Sequence, residues 1–397
     1  MPTDLSLHTQ NPADSMIELG RINTPNSHQV YQGSEWATPI LASELLINNP
    51  PNAKQIKSIL MNEIGDKNSF HSFPLVIRQR RMRKLRCSEK KQKIDEIISS
   101  NEEEAVKIDQ IAKIRGWFRP EEDSAYYPIV QQYLQGDLDI DTASSKLFRP
   151  TDQKIINRML DEVNFVDLWY SIIHSAKRKS FHEAEDDGKR NAHFHAKVAD
   201  LVAAFREHKI KDHEEYNYIY SDLYDLGMAC REVNNDEPEP NATDVEVDAW
   251  ANVNFFWALL TEKGLLDLSL YAIWRMRTAL EEEQQDDAEG TAAQKYDVSV
   301  PAAASWIFGL GRALYTKEKD LTPADRKQGN PAKGGELWKG KAEFSKERWA
   351  LWKERLGIIS KLDSISDKTK TISRDALEAM ERAESFNADA HSARAGS

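Results

Sequence analysis

The 397-residue chain carries 53 Lys and Arg against 65 Asp and Glu, a formal charge of −12, with 40 % apolar residues and a mean hydropathy of −0.64. That balance excludes a surface committed throughout to nucleic acid, leaves room for a local basic patch, and fits a folded part with polar extensions. Two cysteines, Cys87 and Cys230, exclude a disulfide framework and a structural zinc site.

The first residues show no basic and apolar leader, so no secretory signal is expected. No apolar run approaches the ~20 residues that span a bilayer. A protein of the cytoplasm or nucleus, without membrane contact, is expected. Residues 1–75 are rich in Asn, Ser, Pro and Thr and read as disordered, with a short helix over 53–64. A basic run follows: Arg78, Arg80, Arg81, Arg83, Lys84 and Arg86, then Lys90, Lys91 and Lys93. Clustered accessible charge suits nuclear-import recognition or weak contact with nucleic-acid phosphates, against the alternative of a solvated unstructured segment. Ser100 and Glu103 have capping-box spacing before Val106, Ile111 and Ile114.

From residue 119 helical signals repeat. Pro128 suits the first turn of a helix carrying Ile129, Val130, Tyr133 and Leu134, ended by Gly136. Asp141 caps a short helix that Pro150 stops. Leu168, Trp169, Ile172 and Ile173 line a third, and Phe194, Val198, Leu201 and Phe205 form an amphipathic stripe. After the acidic loop 234–240, Thr243 and Glu246 box the start of a helix with Trp250, Val253, Trp257 and Leu260 inward and Gly264 as its stop. Leu266, Leu270, Ile273, Trp274 and Leu280 line the next, with Arg277 and Glu281 four apart on its surface and 281–287 as a solvated linker. Pro301 opens a helix with Trp306, Ile307, Leu310 and Leu314 inward. Its Gly309 and Gly311 imply a close helix contact. Ser345 caps the last strong helix, with Trp349, Trp352, Leu356 and Ile359 as its inner stripe. The expected fold class is all-α, without strands: a disordered arm over 1–118 with a helix in it, one multi-helix globular domain over 119–362, and a charged, partly disordered tail over 363–397.

Several segments in this order resemble a fungal all-helical family of uncharacterised proteins, a domain of unknown function. They are Trp250–Asn254, Tyr271–Glu281, Val300–Ile307, Gly334–Trp338 and Phe344–Trp349. The resemblance covers roughly 120–360 and implies a helical fold. It implies no activity, so no catalytic residue is carried over.

Local motifs fall short of known chemistries. Gly335-x-x-x-x-Gly340-Lys341-Ala342 lacks the Ser or Thr that ligates Mg²⁺ in a phosphate-binding loop, and reads instead as a Gly-rich turn that tucks Trp338 beneath the following helix. Asp137, Asp139 and Asp141 open like a calcium loop, but Thr142 and Phe148 occupy the positions that need Gly and Glu. His182, His193, His195, His208 and His213 read as a solvated polar face rather than a metal site. Cys230 follows an apolar run and reads as a packing thiol. No cofactor or metal is expected.

Seven of the ten tryptophans lie between Trp250 and Trp352. Helical spacing explains most of them as core anchors, whereas Trp338 sits in the Gly-rich turn. Asn254, Arg277, Trp338, Arg348 and Trp349 form the candidate lining of an inter-helix ligand pocket, although Arg348 and Trp352 can pair as cation and ring without a ligand. The leading functional reading is a non-enzymatic protein-interaction module with an unidentified protein partner. The alternative is a small-molecule-binding protein or enzyme that uses that Trp-lined pocket. Whether the chain is an enzyme is left open.

Overall fold

The computed structural model describes residues 89–118, 124–182, 185–325, 327 and 329–395, without the side chains of 185–191 and 386–395. All of them fall in the unit Arg83–Ser397. The expectations for 1–75, for a helix over 53–64, for Arg78 to Arg86 and for Cys87 lie outside the described residues.

The structure is helical. A helix at 89–98 (α1) is followed by α2 (Glu104–Arg115), α3 (Tyr127–Gln135), α4 (Ile140–Ile156), α5 (Phe165–Lys177), α6 (Glu185–Glu207), α7 (Asn217–Ser221), α8 (Leu226–Val233) and α9 (Asp244–Glu262). Next come α10 (Ser269–Met276), a π-helical turn (Arg277–Glu281), α11 (Ala292–Thr316), α12 (Lys346–Ile359) and α13 (Asp367–Ala395). The all-α fold class stands, with one two-residue extended pair beside the helices. Lys319–Asp320 (β1) pairs antiparallel with Glu343–Phe344 (β2), in the register Lys319↔Phe344. It staples together the two ends of the 321–342 loop.

α9 lies at the centre, packed against α5 and α11. Trp250, Val253, Phe256, Trp257 and Leu260 are all buried, and so are Asn252 and Asn254 on other faces. A helix apolar nearly all round belongs inside a bundle. Its start is the expected capping box of Thr243 and Glu246, and Gly264 adopts φ +64° at its end. Close packing with α11 depends on Gly309, where a Cβ would fall 2.7 Å from that of Ala258, while Gly311 meets nothing nearer than 3.8 Å. One of the two expected close glycine contacts is therefore present.

Proline positions departed from expectation. α4 is capped by Asp139, whose Oδ1 accepts from the Thr142 N–H at 2.7 Å, and it runs through Pro150 to Ile156. α11 starts at a Thr291–Gln294 capping box, nine residues before Pro301. Each proline removes one backbone donor. In α4 the buried face of Leu147, Phe148, Thr151 and Ile155 offsets that loss, and in α11 Tyr296, Val298 and Val300 extend the buried surface upstream. Likewise Ser100 caps nothing as a box: its Oγ donates to Ile97 O, and the N-cap of α2 is Glu103.

Both expected boundaries also shift. α2 buries Ile108, Ile111 and Ala112 and is tied to α9 by Arg115 and Glu246 at 2.6 Å, so the fold begins before residue 119. Beyond 362, α13 packs along α11 and α12 and buries Ile372, Ala376, Met380 and Ala383. Those residues fall at i, i+4, i+8 and i+11, a helical stripe thin enough to be hidden among charges. No helix among the described residues is long and apolar enough to cross a membrane.

Candidate functional site

The densest polar cluster forms where α10 gives way to the π turn. Glu281, the last residue of that turn, is fully buried. Its Oε1 accepts from Arg348 Nε at 2.6 Å and from Trp352 Nε1 at 2.7 Å, and its Oε2 accepts from Arg348 Nη2 at 3.0 Å and from the Gly335 N–H at 2.9 Å. Its backbone carbonyl takes the Leu337 N–H at 2.9 Å. Arg348 is equally buried, and its Nη1 donates to the carbonyls of Ala332 and Glu343 at 3.1 and 2.8 Å. The rings of Trp338 and Trp352 lie 5.6 and 5.7 Å from the guanidinium carbon. Removing two charges from water is costly, and bidentate geometry with every lone pair used is what makes it tolerable.

The Gly-rich turn serves this cluster. A Cβ on Gly334 or Gly340 would overlap the Trp338 ring, and one on Gly335 would meet the Glu281 carbonyl. Trp338 Nε1 donates to Lys341 O at 2.7 Å, and Lys341 reaches Asp320 at 3.1 Å. The three glycines thus let the Trp338 ring and the Glu281 backbone approach the turn closely.

Residues 169–356 match the model of a family described as Protein of unknown function (DUF3632). No curated protein and no solved structure matches the chain. The DUF3632 match begins at Trp169 in α5, ends at Leu356 in α12, and contains every member of the Glu281–Arg348 cluster. α13 lies beyond it.

Within the DUF3632 match, the five candidate pocket residues do not converge. Trp338 and Arg348 do meet. Asn254 instead accepts from Trp306 Nε1 at 3.0 Å and donates to Trp250 O, a bond between α9 and α11. Trp349 Nε1 donates to Glu384 of α13 at 3.0 Å. Arg277 points to Lys333 O at 3.1 Å and makes no surface pair with Glu281, because the π turn rotates the glutamate inward. The expected solvated linker therefore starts one residue later. Glu281 is the residue that sequence reasoning missed. A buried Arg348 on the Trp349–Trp352 stripe requires a carboxylate partner, and the resembling segment Tyr271–Glu281 ends on it.

Of the hollows on the described surface, five of the best-formed, of about 200–510 Å³, have no lining from Asn254, Arg277, Trp338, Arg348 or Trp349. One of about 220 Å³ beside β1 and β2 holds Ser269, Lys317 and Phe344. Lys317 Nζ donates to Ser269 Oγ at 2.8 Å, the spacing of a Ser–Lys pair. Phe344 lies 5.0 Å below that ammonium and Asp267 is 3.8 Å away. The ring and the carboxylate hold the Lys317 side chain in place beside Ser269.

The histidines scatter onto separate acceptors. His182 meets Asp375, His208 meets Asp152, and His213 meets Glu215. His195 is not on a solvated face but fully buried, with Nε2 2.9 Å from Lys179 O, and burial pushes its imidazole down to about 4. His174, buried against Asp109 at 2.8 Å, is lowered by the same cause. Among the described residues no three His, Cys, Asp or Glu side chains are grouped to hold a metal. Cys230 is buried, and desolvation raises its thiol to about 12, which suits a packing role.

Proposed function

We propose that the chain is a non-enzymatic protein-interaction module of the cytoplasm or nucleus, and that the fungal character of the resembling family extends to it. The observation that carries this reading is the closure of the Trp-rich centre. Glu281, Arg348 and Trp352 satisfy one another, and Trp338 fills the space beside them. A site built to receive a ligand leaves polar groups that converge on open space; here they converge on each other. The exterior offers more. Of the five exposed large hydrophobics among the described residues, Tyr218, Tyr224 and Met228 lie within one short stretch and Met159 just past the end of α4. The alternative, a small-molecule site, has its support in the Ser269–Lys317 hollow rather than in the Trp-lined centre.

A photocrosslinking residue at Tyr224 tests this in cells. A discrete protein adduct that weakens with Met228→Ser supports the module. A specific metabolite that quenches tryptophan fluorescence and raises Tm, with no protein adduct, overturns it.

A further inference from the structure

The corner that joins α4 to α5 faces the corner that joins α7 to α8 across a hollow of about 500 Å³. Its apolar surface comes from Leu160, Val163, Phe165 and Tyr224, with the rings of Phe165 and Tyr224 5.3 Å apart. Trp169 Nε1 fixes the wall from behind by donating to Tyr224 O at 2.6 Å. Tyr224 stays 40 % exposed, and Met159 and Met228, beside the two corners in sequence, are 36 % and 52 % exposed. Large apolar groups exposed in a concavity and next to its lining in sequence are unusual on a surface with no partner.

The backbone is held in costly conformations at the same place. Arg158, Leu223 and Asp225 have φ of 62°, 51° and 64°, three of the four non-glycine residues with positive φ among those described. Each is a conformation that side-chain-bearing residues rarely adopt, and the surrounding packing must offset its cost. The rim is acidic. Asp161 and Asp225 line the hollow and Glu162 is exposed next to it, against Arg158, the one cation of the lining, and Lys154, whose Nζ donates to Glu162 O at 2.8 Å. Neither Asp161 nor Asp225 has a hydrogen bond or ion pair through its carboxylate among the described residues. Asp225 stands at the N-cap of α8 without using its side chain as the cap, and desolvation raises its carboxyl above the ordinary range. A carboxylate partly stripped of water and left unpaired gains from a cation brought to it.

We propose that this hollow docks a basic segment of a partner protein, seating one apolar side chain against Val163 and Phe165 and a neighbouring Lys or Arg against Asp161 and Asp225. The proposal rests on the interaction-module reading and adds the chemistry of the partner. An acidic segment would face two or three carboxylates with one arginine to answer it, and a purely apolar segment would leave both carboxylates desolvated.

Fluorescence polarisation with the full chain tests it, using three labelled peptides: a leucine flanked by lysines and arginines, the same leucine flanked by glutamates, and the basic peptide with serine for leucine. The basic leucine peptide should bind. Its affinity should fall with rising salt and drop about tenfold or more in the Asp161→Asn/Asp225→Asn double variant. Both positions are at the surface, so an unchanged Tm certifies the variant's fold. Equal binding of the glutamate peptide, indifference to the double variant, or no binding of any peptide overturns the proposal. So does a concentration-dependent dimer that Tyr224→Asp dissociates, because the occupant is then a second copy of this chain. Partner crosslinking that needs Met228 yet ignores the two aspartates overturns this inference while leaving the interaction module standing.

Discussion

The Glu281–Arg348 cluster and the hollow under Tyr224 treat polar groups in opposite ways. In the first, a carboxylate accepts four donors within 3.0 Å and is sealed by two indole rings. In the second, two carboxylates lie beside the exposed ring of Tyr224, with no hydrogen-bond or ion-pair partner among the described residues. Low dielectric makes paired charges rigid and unpaired ones costly, so the first arrangement holds a fold together, and the second is the one we propose a partner completes. Richness in aromatic residues does not separate the two regions. Satisfaction of their polar atoms does.

Mutations should separate them further. Arg348→Met leaves Glu281 charged, buried and unpaired, and urea denaturation should show a loss of about 3–5 kcal/mol. Replacing the pair together, as Glu281→Leu/Arg348→Met, should recover much of that loss; a double variant as weak as the single one would mean that the charges do more than satisfy each other. Met380→Ala in α13 should cost about 2–5 kcal/mol as a core truncation. A cost near zero would return that helix to the status of a tail.

His195 belongs with the satisfied region, and its response to pH has a definite sign. Its folded value of about 4 lies below the unfolded 6.5, so the unfolded chain binds the extra proton between those limits. The stability it contributes is fully present above 6.5 and is lost as pH falls towards 4, about 3 kcal/mol at most. His195→Gln should flatten that part of a stability–pH curve relative to the parent, and equal slopes would contradict the burial. The smallest expected effect is at the open region, where Met228→Ser should shift stability by no more than about 0.5 kcal/mol while reducing partner crosslinking. A larger thermal penalty would show that this side chain supports the fold.

Much of the fold was legible because helix signals are local. The Thr243–Glu246 box, the stop at Gly136 and the Trp349–Ile359 stripe each lie within a few turns of chain, and each appears as read. Prolines misled the reading because a donor lost at Pro150 or Pro301 is offset by burial on a face that only tertiary packing defines. α13 was obscured because its four buried apolar residues are diluted by charges that pair across helices, such as Lys353 with Glu384 and Lys368 with Asp248. The candidate pocket was legible in its members and not in its meaning. Trp338 and Arg348 do touch, but the partner that closes them off sits 67 residues away from Arg348 at the head of an acidic run. The hollow under Tyr224 had no sequence signal, since it joins two corners more than 50 residues apart.

The π turn at Arg277–Glu281 gives the chain an unusual sensitivity to length. A π turn holds one residue more than regular helix would need for the same span, and each residue turns a helix by about 100°. Deleting a single residue between Met276 and Leu280 would restore an ordinary α-helix and swing Glu281 out of reach of Arg348, although every side chain of the cluster would still be encoded. Substitutions around this bend can be absorbed one at a time, whereas the loss of a codon would remove the whole ion pair at a stroke.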